Sequence, residues 1–142
     1  MFSQEESKKI RQEFWTSFGK EYPQKWLLYN TKMKEFQLKF TFNRQFAAVS
    51  MDISDPDEFI QNYYFEKLIS LKTVLSETYL PEIIFDAEYF LPEGKTISRI
   101  FVILEDVNIH NRKDWPQVKQ FLAKNMMKLE EFFDDFEDFI KA

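Results

Sequence analysis

"EFQLKFTFNRQFAAVSMDI", residues 35–53, decides the fold. Phe36, Leu38, Phe40 and Phe42 alternate with Glu35, Gln37, Lys39 and Thr41, the period of a strand with one buried face. Asn43–Arg44 supplies a tight turn. The return run carries Ala47, Val49, Met51 and Ile53 on one side. The stretch reads as an antiparallel hairpin, and a second one follows downstream. In "EIIFDAEYFLPEGKTISRIFVILEDV" (82–107), Leu91-Pro92-Glu93-Gly94 has turn chemistry. Ile97 to Leu104 is apolar on both sides, which predicts a central strand covered on both faces.

Helical signatures flank the hairpins. "SQEE" places Ser3 three residues before Glu6, a capping box, and Ile10, Phe14, Phe18 and Tyr22 follow on one helical face until Pro23. Residues 23–33 read as a loop in which Trp26, Leu27 and Leu28 pack inward. "SDPDEF" opens a second helix with Asp55 as cap, Pro56 in the first turn and Glu58 completing the box. Its stripe of Ile60, Tyr64, Leu68, Leu71 and Leu75 ends near Tyr79–Pro81. The last helix runs from about Trp115 to Ile140. Val118, Leu122, Met126, Leu129, Phe133, Phe136 and Ile140 line one side, and Phe121, Phe132 and Phe139 broaden it. At 1.5 Å per residue it spans roughly 40 Å, more than a small sheet needs. The excess is expected to meet another chain.

The order is therefore α-ββ-α-ββ-α. It specifies one α+β domain over residues 1–142, a mostly antiparallel four-stranded sheet packed by three helices. A chain of 142 residues removes roughly 68–70% of its unfolded surface from water. With 17 Phe, 6 Tyr and 3 Trp against two Gly, the core is expected to be rigid and filled with rings.

Composition also excludes chemistry. The chain has no cysteine, which removes disulfides, thiolate catalysis and Cys-based zinc sites. None of GxGxxG, GxxxxGK[ST], GxSxG or HExxH occurs, and no cofactor is implied. The polar N-terminus and the lack of a long apolar run lead us to expect a cytoplasmic chain without membrane contact. The net charge of −5 is uneven. Residues 1–50 hold nine Lys/Arg against five Asp/Glu, whereas residues 126–142 hold two against six.

One segment looks like chemistry. "VNIHNRKDWPQ" (107–117) contains the only histidine, and His110, Asn111, Arg112 and Lys113 lie just before a helix start at Trp115. They could contact an anion or serve as a base. The competing reading is a surface connection in which Asp114 caps the last helix and Pro116 sits in its first turn. No spacing nominates a nucleophile, so the connection is preferred.

Three further patterns have rival readings. Asp86 with Glu93-Gly94-Lys95 is similar to the acid-then-ExK pattern of metal-dependent nucleases, but its ExK falls on a turn. The acidic tail, with six carboxylates between Glu130 and Asp138, reads as a solvated outer face formed by Glu130, Asp134, Glu137 and Asp138, or as a partner surface. Lys20, Lys25, Lys32, Lys34, Lys39 and Arg44 interleave with Trp15, Trp26 and Tyr29, a mixture suited to single-stranded nucleic acid, although rings at such spacing also build cores.

"RQEFWTSFGKEYPQKWLLYNTK", "ISRIFVILEDVNIHNRKDW" and "KLEEFFDDFEDFIK" resemble a bacterial family, domain of unknown function 4268, from about Ile10 to Ile140. The Phe14–Trp15 pair, Ser98–Arg99–Ile100 and Trp115 carry the likeness. The resemblance implies no mechanism. Some members carry the domain behind a nuclease-like domain, which implies nucleic-acid company; this chain is expected to stand alone, without a nuclease core before residue 1, and no catalytic role is carried over.

The sequence thus leads us to expect a non-catalytic interaction module, homodimeric through the last helix, with its protein partner unspecified. The candidate contacts are His110, Asn111, Arg112, Lys113, Arg99, Trp115, Trp15 and Trp26. The rivals are a nucleic-acid accessory domain using the basic first third and an acidic chaperone-like dimer.

Overall fold

Alternation in the first hairpin is realised as strands β1 (Phe36–Phe42) and β2 (Phe46–Ile53), joined through a turn in which the Asn43 carboxamide oxygen accepts from Gln45 and Phe46 N–H at 2.9 Å each. A computed structural model describes residues 2–142 and places these strands in one antiparallel sheet of order β1-β2-β4-β3. β3 is Ile84–Phe90 and β4 is Thr96–Glu105. Register sets Phe36 against Ile53, Leu38 against Met51, Val49 against Val102 and Met51 against Ile100. Because side chains alternate, all of these share one face, and every helix packs there.

Helix α1 (Gln4–Glu21) begins with the expected box: Ser3 Oγ accepts from Glu6 N–H at 3.1 Å, and Ser3 N–H donates to the Glu6 carboxylate at 3.4 Å. It buries Ile10, Phe14 and Phe18. Phe14 touches Trp15, Phe18, Phe42 and Trp115 with ring centroids 4.8–6.2 Å apart, mostly edge to face. Helix α4 (Trp115–Lys141) crosses the same face and buries Val118, Leu122, Met126, Leu129, Phe132, Phe133 and Ile140. Lys119 ties the two helices, donating to Ser17 Oγ at 2.5 Å and Glu21 at 3.0 Å.

The second helical stretch departs from expectation. The cap is Asp57, whose carboxylate accepts from Phe59 N–H, and α2 covers Glu58–Ile69. Asp55 instead closes a bend by accepting from Asp57 N–H at 2.9 Å. Nor does the helix continue to Tyr79. Ser70 turns its hydroxyl onto the Lys67 carbonyl at 2.6 Å, competing with the helical ladder. A short α3 (Lys72–Val74) then runs into a π turn at Leu75–Tyr79. The wide turn, closed by Leu80 N–H to the Leu75 carbonyl, keeps both leucines in the core. Among the described residues there are thus four α-helices where the periodicity suggests three.

The central strand is covered in two different ways. On its helix side, Ile100 and Val102 join the main core. On the other side no described helix lies. Ile97, Arg99 and Phe101 are kept dry there by Tyr89 and the neighbouring strands. β3 carries a bulge between Asp86 and Tyr89, which shifts its register and re-aims Tyr89 over that face.

The connection from α1 to β1 holds Leu28, Lys32 and Glu35 at φ 47°, 62° and 57°. Left-handed backbone costs a non-glycine residue roughly 1–2 kcal/mol, so this loop is held by its surroundings rather than by preference. No described helix is long and apolar enough to cross a membrane.

Phe14 is fully buried, whereas Phe59 is 80% exposed. Urea unfolding is expected to show Phe14→Ala costing about 3–5 kcal/mol and Phe59→Ser no more than about 0.5 kcal/mol.

Candidate functional site

The 107–117 stretch folds as a seam. β4 ends at Glu105, and Asp106 takes a positive φ of 60°. Val107 and Ile109 then bury, with Ile109 N–H bonded to the Asn43 carbonyl at 3.0 Å. Trp115 reaches back to donate its indole N–H to the Ile109 carbonyl at 2.8 Å. The expected cap is corrected. Asp114 makes no cap bond to α4; its carboxylate accepts from Asn108 N–H at 2.9 Å. Asn111 instead caps a 3₁₀ turn at Arg112–Asp114 that leads into the helix. His110 packs its ring 4.5 Å from Phe2. Arg112 pairs with Glu13 at 2.7 Å and lies over the Trp115 ring, while Lys113 is exposed. The segment holds strand end, β1–β2 turn and helix start together, and the Asn108 carboxamide oxygen accepts from the His110 backbone N–H at 2.9 Å.

Asp86 sits in β3 opposite Arg99 and accepts from Glu88 N–H at 3.0 Å, holding the bulge. Glu93, Gly94 and Lys95 lie exposed at the hairpin tip, where Gly94 takes φ 91°. The nuclease-like pattern is therefore spread along a hairpin. Among the described residues, no three His, Asp or Glu side chains converge to hold a metal ion.

Arg99 is placed where sequence reading did not expect it. It is 2% exposed and forks onto Asp52, Nε to Oδ1 and Nη2 to Oδ2, both at 2.8 Å. The Tyr89 ring covers the guanidinium at 4.3 Å. Burial lowers its proton affinity, but the Asp52 hydrogen bond and charge outweigh this and raise its pKa above the usual arginine value. Arg99 is thus spent inside the sheet and corrected from the set of partner contacts. Ser50 Oγ, on the same face, is buried without a partner.

Trp15 and Trp26 belong to the ring cluster. Trp26 stacks on Phe18 and meets Phe40 edge-on at 5.3 Å; Trp15 lies 6.0 Å from Phe40. Both are half-buried, and the ring left outside is Tyr29, 76% exposed. Leu27 joins the core edge and donates its N–H to the Glu130 carboxylate at 2.6 Å. Glu130 is therefore a half-buried wall, with Lys25, Trp26, Lys32 and Lys141, of a cleft of about 440 Å³. Assigning it to a solvated outer face is corrected.

The α4 stripe is used up internally, including Ile140 beyond a kink at Phe136. The outward apolar side chains are Phe139 at 46% and Met127 at 48% exposure. Phe139 faces Phe59 and Tyr63 of α2 across a shallow hollow that also involves Asn62, Glu66, Lys67 and Ser70. Lys67 leans over Tyr63 and Phe139 at 4.8 and 5.6 Å and donates to the Ala142 carbonyl. The sequence signal for this surface was present in Phe59, an aromatic off the stripe of the second helix.

A family model described as a domain of unknown function, DUF4268, matches residues 10–137. The chain belongs to this family. No match is found among curated proteins or solved structures. In this DUF4268 domain the Phe14–Trp15 pair, Ser98–Arg99–Ile100 and Trp115 all serve packing or register.

Two measurements test these placements. Arg99→Met leaves the Asp52 carboxylate buried and alone, and is expected to cost about 3–5 kcal/mol in chemical denaturation; adding Asp52→Leu should recover most of it. Burial raises the pKa of Glu130, and the Leu27 N–H only partly opposes this. The folded chain therefore holds that proton more tightly than the unfolded chain. Its stabilising effect is present at acid pH and lost as pH rises through the raised value. Glu130→Gln keeps an acceptor for Leu27, and its stability relative to wild type is expected to grow as pH climbs above about 4.3.

Proposed function

We propose that this DUF4268 chain is a non-catalytic interaction module that self-associates where α2 meets the end of α4. One observation carries the reading: Phe59, Tyr63 and Phe139 are 80%, 48% and 46% exposed and share one patch. Aromatic side chains supply most of the energy at protein interfaces, and contiguous exposed apolar surface marks such sites. The rim carries Glu66 and Lys67, one charge of each sign. A two-fold arrangement can therefore set the acid of one copy against the base of the other, which favours a second copy of the chain as occupant. The non-catalytic part of the proposal is supported by where the polar candidates are spent. His110, Arg112, Asp86 and Arg99 each hold a local contact.

Static light scattering over a concentration series tests the reading. The wild type is expected to rise toward twice the monomer mass, and Phe59→Glu to remain at monomer mass throughout. A wild type that stays monomeric up to roughly 1 mM, where only contacts weaker than about 4 kcal/mol are missed, would overturn self-association.

A further inference from the structure

β1 lies at one edge of the sheet. Its ladder with β2 is fixed by the Ser54 N–H to Glu35 carbonyl bond at 2.8 Å and the Asn43 N–H to Phe46 carbonyl bond at 3.0 Å. Odd-numbered residues therefore face β2, and even-numbered residues turn their backbone groups outward. The first half of this edge is covered. Leu38 N–H donates to the Leu28 carbonyl at 2.9 Å, and the Phe36 carbonyl accepts from Thr31 Oγ1 at 2.6 Å. The strained loop carrying Leu28 and Lys32 supplies this cover. Among the described residues, the Leu38 carbonyl, both backbone groups of Phe40 and the Phe42 N–H meet no protein partner.

This open stretch is accessible. Two depressions flank it, of about 320 and 530 Å³; both are lined by Trp15, Lys39 and Phe40, and the second is walled on its far side by the β3–β4 hairpin from Tyr89 to Glu93. Exposed Tyr29 borders the first. The other edge differs: β3 is interrupted by its bulge and carries Asp86 and Glu88 there, a common way to block strand addition.

We propose that the open half of β1 receives an extended acidic segment of a partner protein as a fifth, antiparallel strand. The two faces dictate its pattern. A residue opposite Phe40 lies on the ring side, against Trp15 and Tyr29, and is apolar. Its neighbours fall on the opposite face beside Lys39 and are acidic. A second copy of β1 is the poorer occupant, since antiparallel self-pairing sets Lys39 opposite or diagonal to its counterpart, like against like. The proposal rests on the interaction-module reading but uses a surface separate from the α2–α4 patch.

The probe is a degenerate nonapeptide pool alternating Asp/Glu with Val, Ile, Phe or Tyr, passed over immobilised full-length chain. Retention is expected to exceed that of the matching Lys/Arg pool by at least ten-fold, and Lys39→Glu to reverse the preference. N-methylation at the apolar positions, whose N–H groups face Phe40, is expected to abolish retention; methylation at the acidic positions leaves it intact. Amide resonances of Phe40 and Phe42 are expected to shift with the acidic pool. Equal retention of both pools, equal effects of the two methylation patterns, or a dimer whose Phe40 and Phe42 amides shift with concentration overturns the proposal. Phe59→Glu is expected to abolish self-association while leaving peptide retention unchanged, so each failure is separable from the other.

Discussion

A sheet covered by helices on one face must keep the other face of its central strands dry by some other means. Here β2 and β4 do so with a forked Asp52–Arg99 pair roofed by Tyr89. Charges taken out of water in this way contribute little net stability, because desolvation offsets most of their attraction. Their value lies in register. Asp52 and Arg99 are directly opposed across β2 and β4. A slip of one residue between β2 and β4 would separate the pair, turning the charge of the shifted strand into the ring-filled core and its Met51 or Ile100 out of it. The helices can dock only on a face whose alternation is locked, so the pair underlies the rest of the structure.

From that asymmetry follows the division of surfaces. The helix-covered side consumes nearly every apolar residue of α1 and α4, including those that looked available to a partner. What remains outside includes the aromatic patch at the α2–α4 end and the half of β1 that the strained loop leaves uncovered. Under the proposed interaction-module reading, both would serve binding. A patch offers area without directional chemistry, and an open strand edge offers directional backbone groups that recognise only another extended chain. The conspicuous polar run around His110 belongs to neither, since its side chains and amides fasten a strand end, a turn and a helix start to one another.

Much of the fold was legible because it is written in local periods. Ser3 and Glu6 announced α1, the alternation of Phe36 to Phe42 announced β1, and the Pro92–Gly94 turn announced the second hairpin. Small errors came where two local signals competed. Asp55 and Asp57 both flank Pro56, and only the path of the bend chose Asp57 as cap. Ser70 ended α2 because its hydroxyl took a carbonyl that the apolar stripe alone gave no reason to surrender. The surfaces were less legible. Arg99 looked like a contact residue until Asp52, 47 positions earlier, was found beside it. Glu130 looked solvated until Leu27, 103 positions away, proved to hold it.

The sequence alone determined which segments coil and which extend, where most of them turn, and that their rings form a common core. These depend on interactions within a few residues. Tertiary structure decided which charges are buried, which rings stay outside and which strand edge is left open. Those outcomes depend on residues far apart in the chain, brought together only once four strands have taken their order and every helix has settled on the same side.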